Sequence, residues 1–450
     1  NNTTGTLTTG GAVNLGALSI LAGGTNLTVT GNNSNQTAQG VVTGAVTDSA
    51  VGGNITFRSD NNVTSGALSL VANTGSTTAA VIYDVTSGNK TSAISAGALT
   101  IGAGTNASGI DYKLLTSGAP ISVGAITVPG TIVLDNTYGA TSGPAVSGFI
   151  TAANAATYAT TTTHGINLLG ALSGAKGISI RGVTAGTNLQ GVAAAGSLLA
   201  ATGDIDVTGV SMTGTGGNGI VVNNTAALIT ATTGNISFTG VVTVSNTAIN
   251  LTSGAVSAPL GSITLNASAS STANYGLYTS GTATLSAKYN VTLTGSTSGN
   301  YGISLNAGVT STAGDILVTA NSGASTAYSN ASTLNASAGV VTVSAVSTTG
   351  SGVSQSGLIT AKSATITGTT NSSSGTAVTL GAVTLVAGGG DLVVTGNNAN
   401  QTGTGISQTG AITDNVVGGN ITFRSDNNIN QTGAITMVSN PGTTAAVLTY

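Results

Sequence analysis

The sequence predicts an all-β protein, a right-handed parallel β-helix in which each coil of about 24–30 residues contributes three short strands. Three observations predict this fold. A three-part phrase recurs along the chain at that spacing, each part alternates apolar and polar residues, and strong helix formers other than Ala and Leu are scarce.

The recurring phrase is clearest in the second half of the chain. From Gly234 it reads GNISFTG, TAINLTSG and AVSA, and from Gly261 it reads GSITLNA, YGLYTSG and TATLSA. Short runs of Val, Ile, Thr and Leu between Gly, Asn or Ser are typical of half-buried strands joined by tight corners. One coil cannot bury its own apolar face, so we expect about 17 coils to stack on one another.

Alternation also predicts which side chains point inward. In the run Asn54–Arg58, the residues Ile55 and Phe57 share one side of the strand, and the polar residues share the other. The same pattern in later coils predicts four more interior residues: Ile236, Phe238, Ile263 and Leu265.

A second repeat is much longer. Residues 11–83 match residues 376–449, and VGGNITFRSDNN occurs unchanged at Val51–Asn62 and Val417–Asn428. We therefore expect a piece of a larger repetitive protein, whose coils continue past Tyr450 in the same polypeptide or in a neighbouring copy. The expected partners are copies of the chain, end to end or laterally.

The sequence predicts one continuous β-helix rod over residues 1–450. Its least regular stretch is residues 108–163, which holds three of the five prolines and suggests a loop-rich excursion. The rival fold, a string of β-sandwich domains, should repeat at about 100 residues instead.

Composition excludes several classes of function. A net charge of −3 provides no basic surface for nucleic acid, and no apolar run is long enough for a membrane helix. All of the acidic residues are Asp, and the chain has no Cys and one His, so acid–base, thiol and metal chemistry have few residues to work with. We expect no enzyme activity, no cofactor and no metal.

The phrases GGNITFRSDNN, SGALSLVAN and GDLVVTGNN resemble the strand repeats of filamentous-haemagglutinin-type exoproteins and large bacterial β-strand-repeat adhesins. The resemblance covers nearly the whole chain. It implies an extracellular or cell-surface structural segment of a giant bacterial protein, acting as stalk, filament or adhesin, with surface glycans as further partners. Export by two-partner secretion is implied by analogy with that family.

Two other functions stay open. One is an adhesive module that binds carbohydrate or a receptor. The other, the weaker, is a polysaccharide-degrading enzyme on a β-helix, which would need clustered carboxylates. An ice-binding face is a further alternative, but outward positions vary too much between coils for a regular Thr array.

The best carboxylate cluster is Asp204 and Asp206, which alternation places on one outward face with Arg181 diagonally beside Asp206. The favoured interpretation is a surface ion pair, and the weaker one a catalytic group. His164 is interpreted as a loop histidine without a catalytic role. Arg58 with Asp60, and Arg424 with Asp426 in the second copy, are interpreted as outward local pairs.

Tyr275 and Tyr301 each follow Asn and precede Gly about one coil apart, so we expect their rings to stack. Contact with a sugar ring is the alternative. About twenty glycosylation sequons occur, among them those at Asn26, Asn54 and Asn235, nearly as many as chance predicts in so polar a chain. We favour side-chain amide ladders between coils there, and glycan attachment stays open.

Overall fold

The structure is a computed structural model that describes residues 2–4, 11–33, 39–88, 92–105, 108–137, 164–212, 216–224, 226–243, 246–270, 274–400, 402–438 and 445–450. The chain divides into two compact units, residues 1–220 and residues 221–450. Every regular element in the described part is a β-strand.

Each unit is a β-solenoid whose turns have three faces. A turn begins on the long face, continues on the second face and the third face, and returns to the long face of the next turn. Neighbouring strands on a face pair in parallel, as Ile178–Thr184 does with Ile205–Ser211 in the first unit and Ile263–Ala269 with Val291–Thr297 in the second. The predicted parallel β-helix is therefore confirmed, while its right hand stays a prediction.

In the first unit the long-face strands are Asn2–Thr4, Leu27–Asn33, Ile55–Arg58, Ala79–Val85, Ile110–Thr116, Thr131–Asp135, Gly177–Thr184 and Ile205–Ser211. The second-face strands are Gly11–Leu15, Gln39–Thr43, Asn62–Ser65, Ile94–Ser95, Ile121–Val123, Ile166–Leu168 and Val192–Ala194, with Ile220–Val222 at the unit boundary. The third-face strands are Leu18–Ile20, Val46–Asp48, Leu68–Leu70, Leu99–Ile101, Ile126–Val128, Leu172–Gly174 and Leu198–Ala200.

In the second unit the long-face strands are Ile236–Val242, Ile263–Ala269, Val291–Thr297, Ile316–Ser322, Leu392–Asn398, Ile421–Ser425 and Leu448–Thr449. The second-face strands are Thr247–Leu251, Tyr275–Thr279, Tyr301–Leu305, Tyr328–Asn330, Val353–Gln355, Thr376–Leu380, Thr404–Gln408 and Asn428–Gln431. The third-face strands are Leu228–Ala231, Ala255–Ala258, Thr284–Ala287, Gly308–Ser311, Val383–Leu385, Ile412–Asp414 and Ile435–Met437. Two strands run from the third face onto the long face, Leu334–Ser347 and Ile359–Thr370.

The six side chains predicted to point inward all do so. Ile55, Phe57, Ile236, Phe238, Ile263 and Leu265 are each at most 1% exposed. In the second unit they also stack in register, because Phe238 lies opposite Leu265 of the next turn. Burial of these columns is the main source of stability that one turn cannot supply alone.

The length of a turn varies more than the sequence period suggests. Leu27 lies opposite Ile55, 28 residues later, whereas Ala79 lies opposite Ile110, 31 residues later. In all, the chain makes about 14 turns, fewer than expected from the repeat. The predicted excursion forms regular strands as far as Asp135, and residues 138–163 lie outside the described residues.

Glycine marks the corner between the second and third faces because turns approach closely there. A Cβ on Gly196 would overlap the carbonyl of Gly170 in the preceding turn, and a Cβ on Gly357 would overlap the carbonyl of Ser332. Two corner glycines differ, since a Cβ on Gly16 or Gly124 would meet nothing within 4 Å.

Polar side chains inside the other corners bond to the backbone of the preceding turn. The Ser322 hydroxyl donates to the carbonyl of Gly299 at 2.9 Å, and the Asn398 amide donates to the carbonyls of Ser372 and Gly375 at 3.2 and 3.1 Å. These bonds satisfy backbone groups that the corners remove from the sheet ladders. The described residues contain no helix long and apolar enough to cross a membrane.

Candidate functional site

Three tyrosines form an outward cluster on the second face of the second unit. Tyr275 and Tyr301 begin successive strands and lie opposite each other in register. Their ring centroids are 5.4 Å apart and the planes are inclined by 16°, which confirms the predicted stack. Tyr278 joins them, with its ring centroid 4.9 Å from that of Tyr275. We call Tyr275, Tyr278 and Tyr301 the tyrosine cluster.

Strict alternation would have placed Tyr278 on the opposite side from Tyr275, which is why the sequence did not reveal it. In this strand both Gly276 and Leu277 are buried, so the alternation slips by one residue. Tyr278 then returns to the outer side. The sequence signal is the Gly at the second position of the strand, where the backbone lies too close to its neighbours for a side chain.

The tyrosine cluster combines apolar ring faces with polar groups at its rim. The Tyr rings are half-buried, and burial, followed by the neighbouring phenols Tyr278 and Tyr301, raises the pKa of Tyr275. The Tyr275 hydroxyl therefore stays protonated at neutral pH and can donate a hydrogen bond. An exposed pair of amides adjoins the cluster. Asn274 and Asn300 directly precede Tyr275 and Tyr301, and the Asn300 Nδ2 donates to the Asn274 Oδ1 at 3.4 Å. This pair is an amide contact between turns at asparagines outside the sequons, so the ladder predicted at the sequon asparagines is not tested by it.

The candidate catalytic group is not assembled. Asp206 lies opposite Ser179, and Arg181 lies opposite Thr208, so Arg181 and Asp206 are staggered along the strands. Within the described residues no ion pair joins Arg181 to Asp206, so the expected surface ion pair is wrong. Burial and then the charge of Asp204 raise the pKa of Asp206. Both carboxylates are nevertheless exposed on the surface.

His164 has a structural contact. Its Nδ1 accepts a hydrogen bond from the backbone N–H of Gln190 at 3.1 Å, and burial lowers its pKa. A neutral imidazole is the form that can accept this bond. Among the described residues no group of three His, Cys, Asp or Glu side chains could hold a metal ion.

The interpretation of Arg58 and Asp60 as a local pair is wrong. Arg58 Nε donates to Asp84 Oδ2 of the next turn at 3.0 Å. Asp60 Oδ1 instead accepts the backbone N–H of Asn33 at 2.7 Å. Both pairs link neighbouring turns, so the charges are used between turns rather than within one.

The second copy repeats the arrangement of the acidic residue. Asp426 Oδ1 accepts the backbone N–H of Asn398 at 2.7 Å, the same contact that Asp60 makes in the first copy. Arg424 has no ion pair within the described residues. The recurrence of Asp in SDNN is explained by this bond to the preceding turn.

The sequon asparagines lie at the corner before the long face. Asn26 Oδ1 accepts the N–H of Asn54 at 2.8 Å, and Asn235 Oδ1 accepts the N–H of Ser262 at 2.9 Å. Each amide thus caps the turn that follows. Glycan attachment at Asn26, Asn54 or Asn235 stays a prediction.

A buried carboxylate occurs at the same place in both copies of the long repeat, and sequence analysis missed it. Asp48 and Asp414 end third-face strands and are each 1% exposed. One oxygen of each accepts a nearby backbone N–H, from Ala50 at 2.8 Å and from Val416 at 2.9 Å. The Oδ2 of each is buried without a hydrogen-bond partner in the described part. The available signal was that alternation from Val46 and Ile412 points both inward.

Burial raises the pKa of both Asp48 and Asp414, and for Asp414 the charge of Asp391 adds to it. A raised pKa in the folded state means that the stability this group contributes is complete below its ordinary pKa and is lost as pH rises through the folded value. We expect Asp414→Asn to raise the free energy of unfolding at neutral pH by about 1 kcal/mol, because the neutral amide removes a buried negative charge. Denaturant unfolding of the wild type and the variant at neutral pH and near pH 3 measures this difference in the free energy of unfolding.

The gain from Asp414→Asn should shrink at the acidic pH, where Asp414 is itself protonated. Asp48→Asn should behave alike, and Thr413→Asn, on the outer side of the same strand, should show no such pH dependence. An equal effect of Asp414→Asn at both pH values would show that the buried charge is not the cause.

Comparison of the chain with protein-family models, with curated proteins and with solved structures gives no match. The solenoid geometry and the surface chemistry are therefore the basis for a function.

Proposed function

We propose that this chain is a structural segment of an extracellular fibre, part of a giant bacterial surface or secreted protein that acts as stalk, filament or adhesin. The observation that carries the proposal is the in-register pairing of successive turns. All seven residues of Ile263–Ala269 pair with Val291–Thr297, and those pair in turn with Ile316–Ser322. Such ladders resist separation of the turns, since many backbone hydrogen bonds must break together.

The surface chemistry supports the same role. Only 8 Lys and Arg occur in 450 residues, which leaves few sites for trypsin-like proteases. No Cys is present, so the chain needs no disulfide for stability and cannot form a wrong one in an oxidising compartment. These properties suit a protein that must persist outside the cell.

Surface labelling tests the proposal. Antibodies raised against the chain should bind intact, unpermeabilised cells of the organism that makes it, whereas antibodies against a cytoplasmic protein of the same cells should not. The same antibodies should detect the chain in filaments on the cells or in the culture medium. Labelling that requires permeabilisation would overturn the extracellular role.

The second candidate function is carbohydrate or receptor binding, which the tyrosine cluster favours. Stacked phenol faces beside the amides of Asn274 and Asn300 match the apolar face and hydroxyl rim of a sugar ring. We expect Tyr301→Ala to abolish retention of the chain on a glycan array, because it removes half of the stack. Tyr289→Ala, which removes an exposed ring outside the cluster, should not. A wild-type chain that binds no glycan would eliminate carbohydrate binding.

Enzyme activity is not expected. Asp204 and Asp206 are exposed and Arg181 is not paired with Asp206, so the predicted group lacks the enclosed pair of carboxyl groups on either side of a sugar that glycoside cleavage uses. Incubation with pectin, alginate, chitosan and peptidoglycan should therefore release no reducing ends or fragments. Reproducible cleavage that disappears in Asp206→Asn would establish the enzyme instead.

A further inference from the structure

One region of the first unit departs from regular stacking. The turn that contains Ala79–Val85 and the turn that contains Ile110–Thr116 pair along all seven residues of the long face. The same two turns are not paired on the second and third faces within the described residues. The turns therefore separate on two of their three sides.

On one side of the separation are two strand edges. Ile94–Ser95 pairs with the preceding turn at Val63–Thr64, and Leu99–Ile101 pairs with Leu68–Leu70. Both strands end their sheets in the described part of the chain. Their outer backbone groups face the separation.

On the other side are two more edges. Ile121–Val123 pairs with the following turn at Ile166–Leu168, and Ile126–Val128 pairs with Leu172–Gly174. The four edges thus face one another in pairs, and an unpaired strand edge is a template for a further strand.

The space between them is a cavity of about 230 Å³. Its walls are the corners Ala96–Leu99 and Ser122–Ile126, with Ile94, Tyr112 and Leu114. We call this cavity the wedge.

Glycine geometry shows what shape the wedge would accept. A Cβ on Gly97 would overlap the carbonyl of Gly66, and a Cβ on Gly170 would overlap the backbone nitrogen of Ala125, because the corner of the preceding turn occupies that space. A Cβ on Gly124, which lines the wedge, would meet none of the described residues within 4 Å. No described residue therefore occupies the place that a Gly-Ala corner of the preceding turn fills elsewhere.

The chemistry of the wedge is that of a strand interface. Among the lining residues that the structure describes, Tyr112 and Ser122 alone have polar side chains and none is charged, so their other polar groups are backbone N–H and C=O. Tyr112 is 4% exposed, and its ring packs against Tyr83 of the preceding turn, with the ring centroids 6.0 Å apart. Burial of a charge here would be costly, which excludes a charged occupant.

We propose that the wedge binds an extended, uncharged peptide segment of another polypeptide, with the form strand, Gly-Ala corner, strand, as an inserted half-turn. Its two strands would pair with the facing edges on the second and third faces. Its small corner residues would lie over Gly124, and the Tyr112 hydroxyl would donate to one of its carbonyls. This is strand addition to exposed sheet edges, in which backbone bonds supply affinity and side-chain fit supplies specificity.

The absence of Cys allows a single reporter dye. Ser122 is exposed on the wedge strand Ile121–Val123, so Ser122→Cys carries an environment-sensitive dye at the site. The probe is a synthetic peptide with the sequence of residues 62–71, NVTSGALSLV, which contains the required corner. We expect a saturable change in dye emission. The same peptide with alternate backbone amides N-methylated should cause none, because it cannot pair as a strand.

Matched variants locate the binding. Gly124→Trp fills the wedge from a position that tolerates a side chain, and should lower the affinity for the peptide at least tenfold. Gly16→Trp, at the other corner glycine with open space, should leave the affinity unchanged. A dye on Ser173→Cys, outside the wedge lining on strand Leu172–Gly174, should not respond.

Two results would overturn the proposal. One is no dye response to the peptide, or a response that Gly124→Trp does not change. The other is an equal response to a small apolar molecule such as naphthalene together with none to the peptide, which would make the wedge a small-molecule pocket. Circular dichroism of each variant confirms that the sheet is intact.

Discussion

Phe238→Asp should lower the free energy of unfolding by about 4 kcal/mol or more. Phe238 is 1% exposed and lies opposite Leu265 inside the second unit. Removal of a buried Phe costs about 3–5 kcal/mol, and the carboxylate that replaces it would be buried without a partner. Because one turn supports the next, we also expect the loss to weaken several turns together.

The matched control for this variant is Ser237→Asp. Ser237 precedes Phe238 in the same strand but points to the outer side, so a carboxylate there stays hydrated and should change stability by less than about 0.5 kcal/mol. Denaturant unfolding followed by circular dichroism measures both. Equal losses in the two variants would contradict the inward assignment of Phe238.

Gly357→Leu should cost about 2–3 kcal/mol through overpacking between turns. A Cβ at Gly357 would overlap the Ser332 carbonyl, so the two turns must separate. That separation also strains the bonds around the corner, where the Gly357 N–H donates to the Asn330 carbonyl at 3.2 Å and the Gly357 carbonyl accepts from Gln355 at 2.8 Å.

Gly281→Leu provides the comparison. Gly281 lies at the same corner of another turn, but the nearest atom to a Cβ there is the Asn306 carbonyl oxygen at 3.6 Å, an ordinary contact. We expect its stability to stay within about 0.5 kcal/mol of wild type. A small loss for Gly357→Leu, similar to that for Gly281→Leu, would show that the corners are looser than described.

Periodicity was sufficient to predict the strands and the interior. The alternation around Ile55 and Phe57, and around Ile263 and Leu265, is a local property of the sequence, and the stack preserves it. Tyr275 and Tyr301 could be paired for the same reason, since each begins a strand one turn from the other. Such inferences need only the period and the side of the strand.

Contacts between turns could not be read in the same way. The partner of Arg58 is Asp84, 26 residues later, because the side chain reaches along the stack rather than along the chain. The outward position of Tyr278 was not predicted because the alternation slips by one residue at Gly276. The wedge arises where pairing stops on two faces, and its only sequence signal is a Gly-Ala corner like many others at Gly124.

Asp, Ser and Asn all occur at inward corner positions because each can form a hydrogen bond with a backbone group there. Asp48 and Asp414 keep a carboxylate at the end of a strand at the cost of an unpaired oxygen, while one oxygen of each fixes a backbone N–H two residues on. The Ser322 and Asn398 side chains likewise bond to the backbone, through carbonyls of the preceding turn. Such bonds hold the described corners in place by hydrogen bonds to the backbone.

High-resolution imaging of the native assembly tests the central proposal, that stacked parallel turns of this chain form an extracellular fibre. Filaments labelled by antibodies to the chain would be isolated from cell surfaces and imaged by electron cryomicroscopy. We expect an axial spacing of about 4.8 Å from stacked strands, a three-sided cross-section and the Phe238 ring inside it. Labelled material built from antiparallel sandwiches, or filaments without that axial spacing, would contradict it.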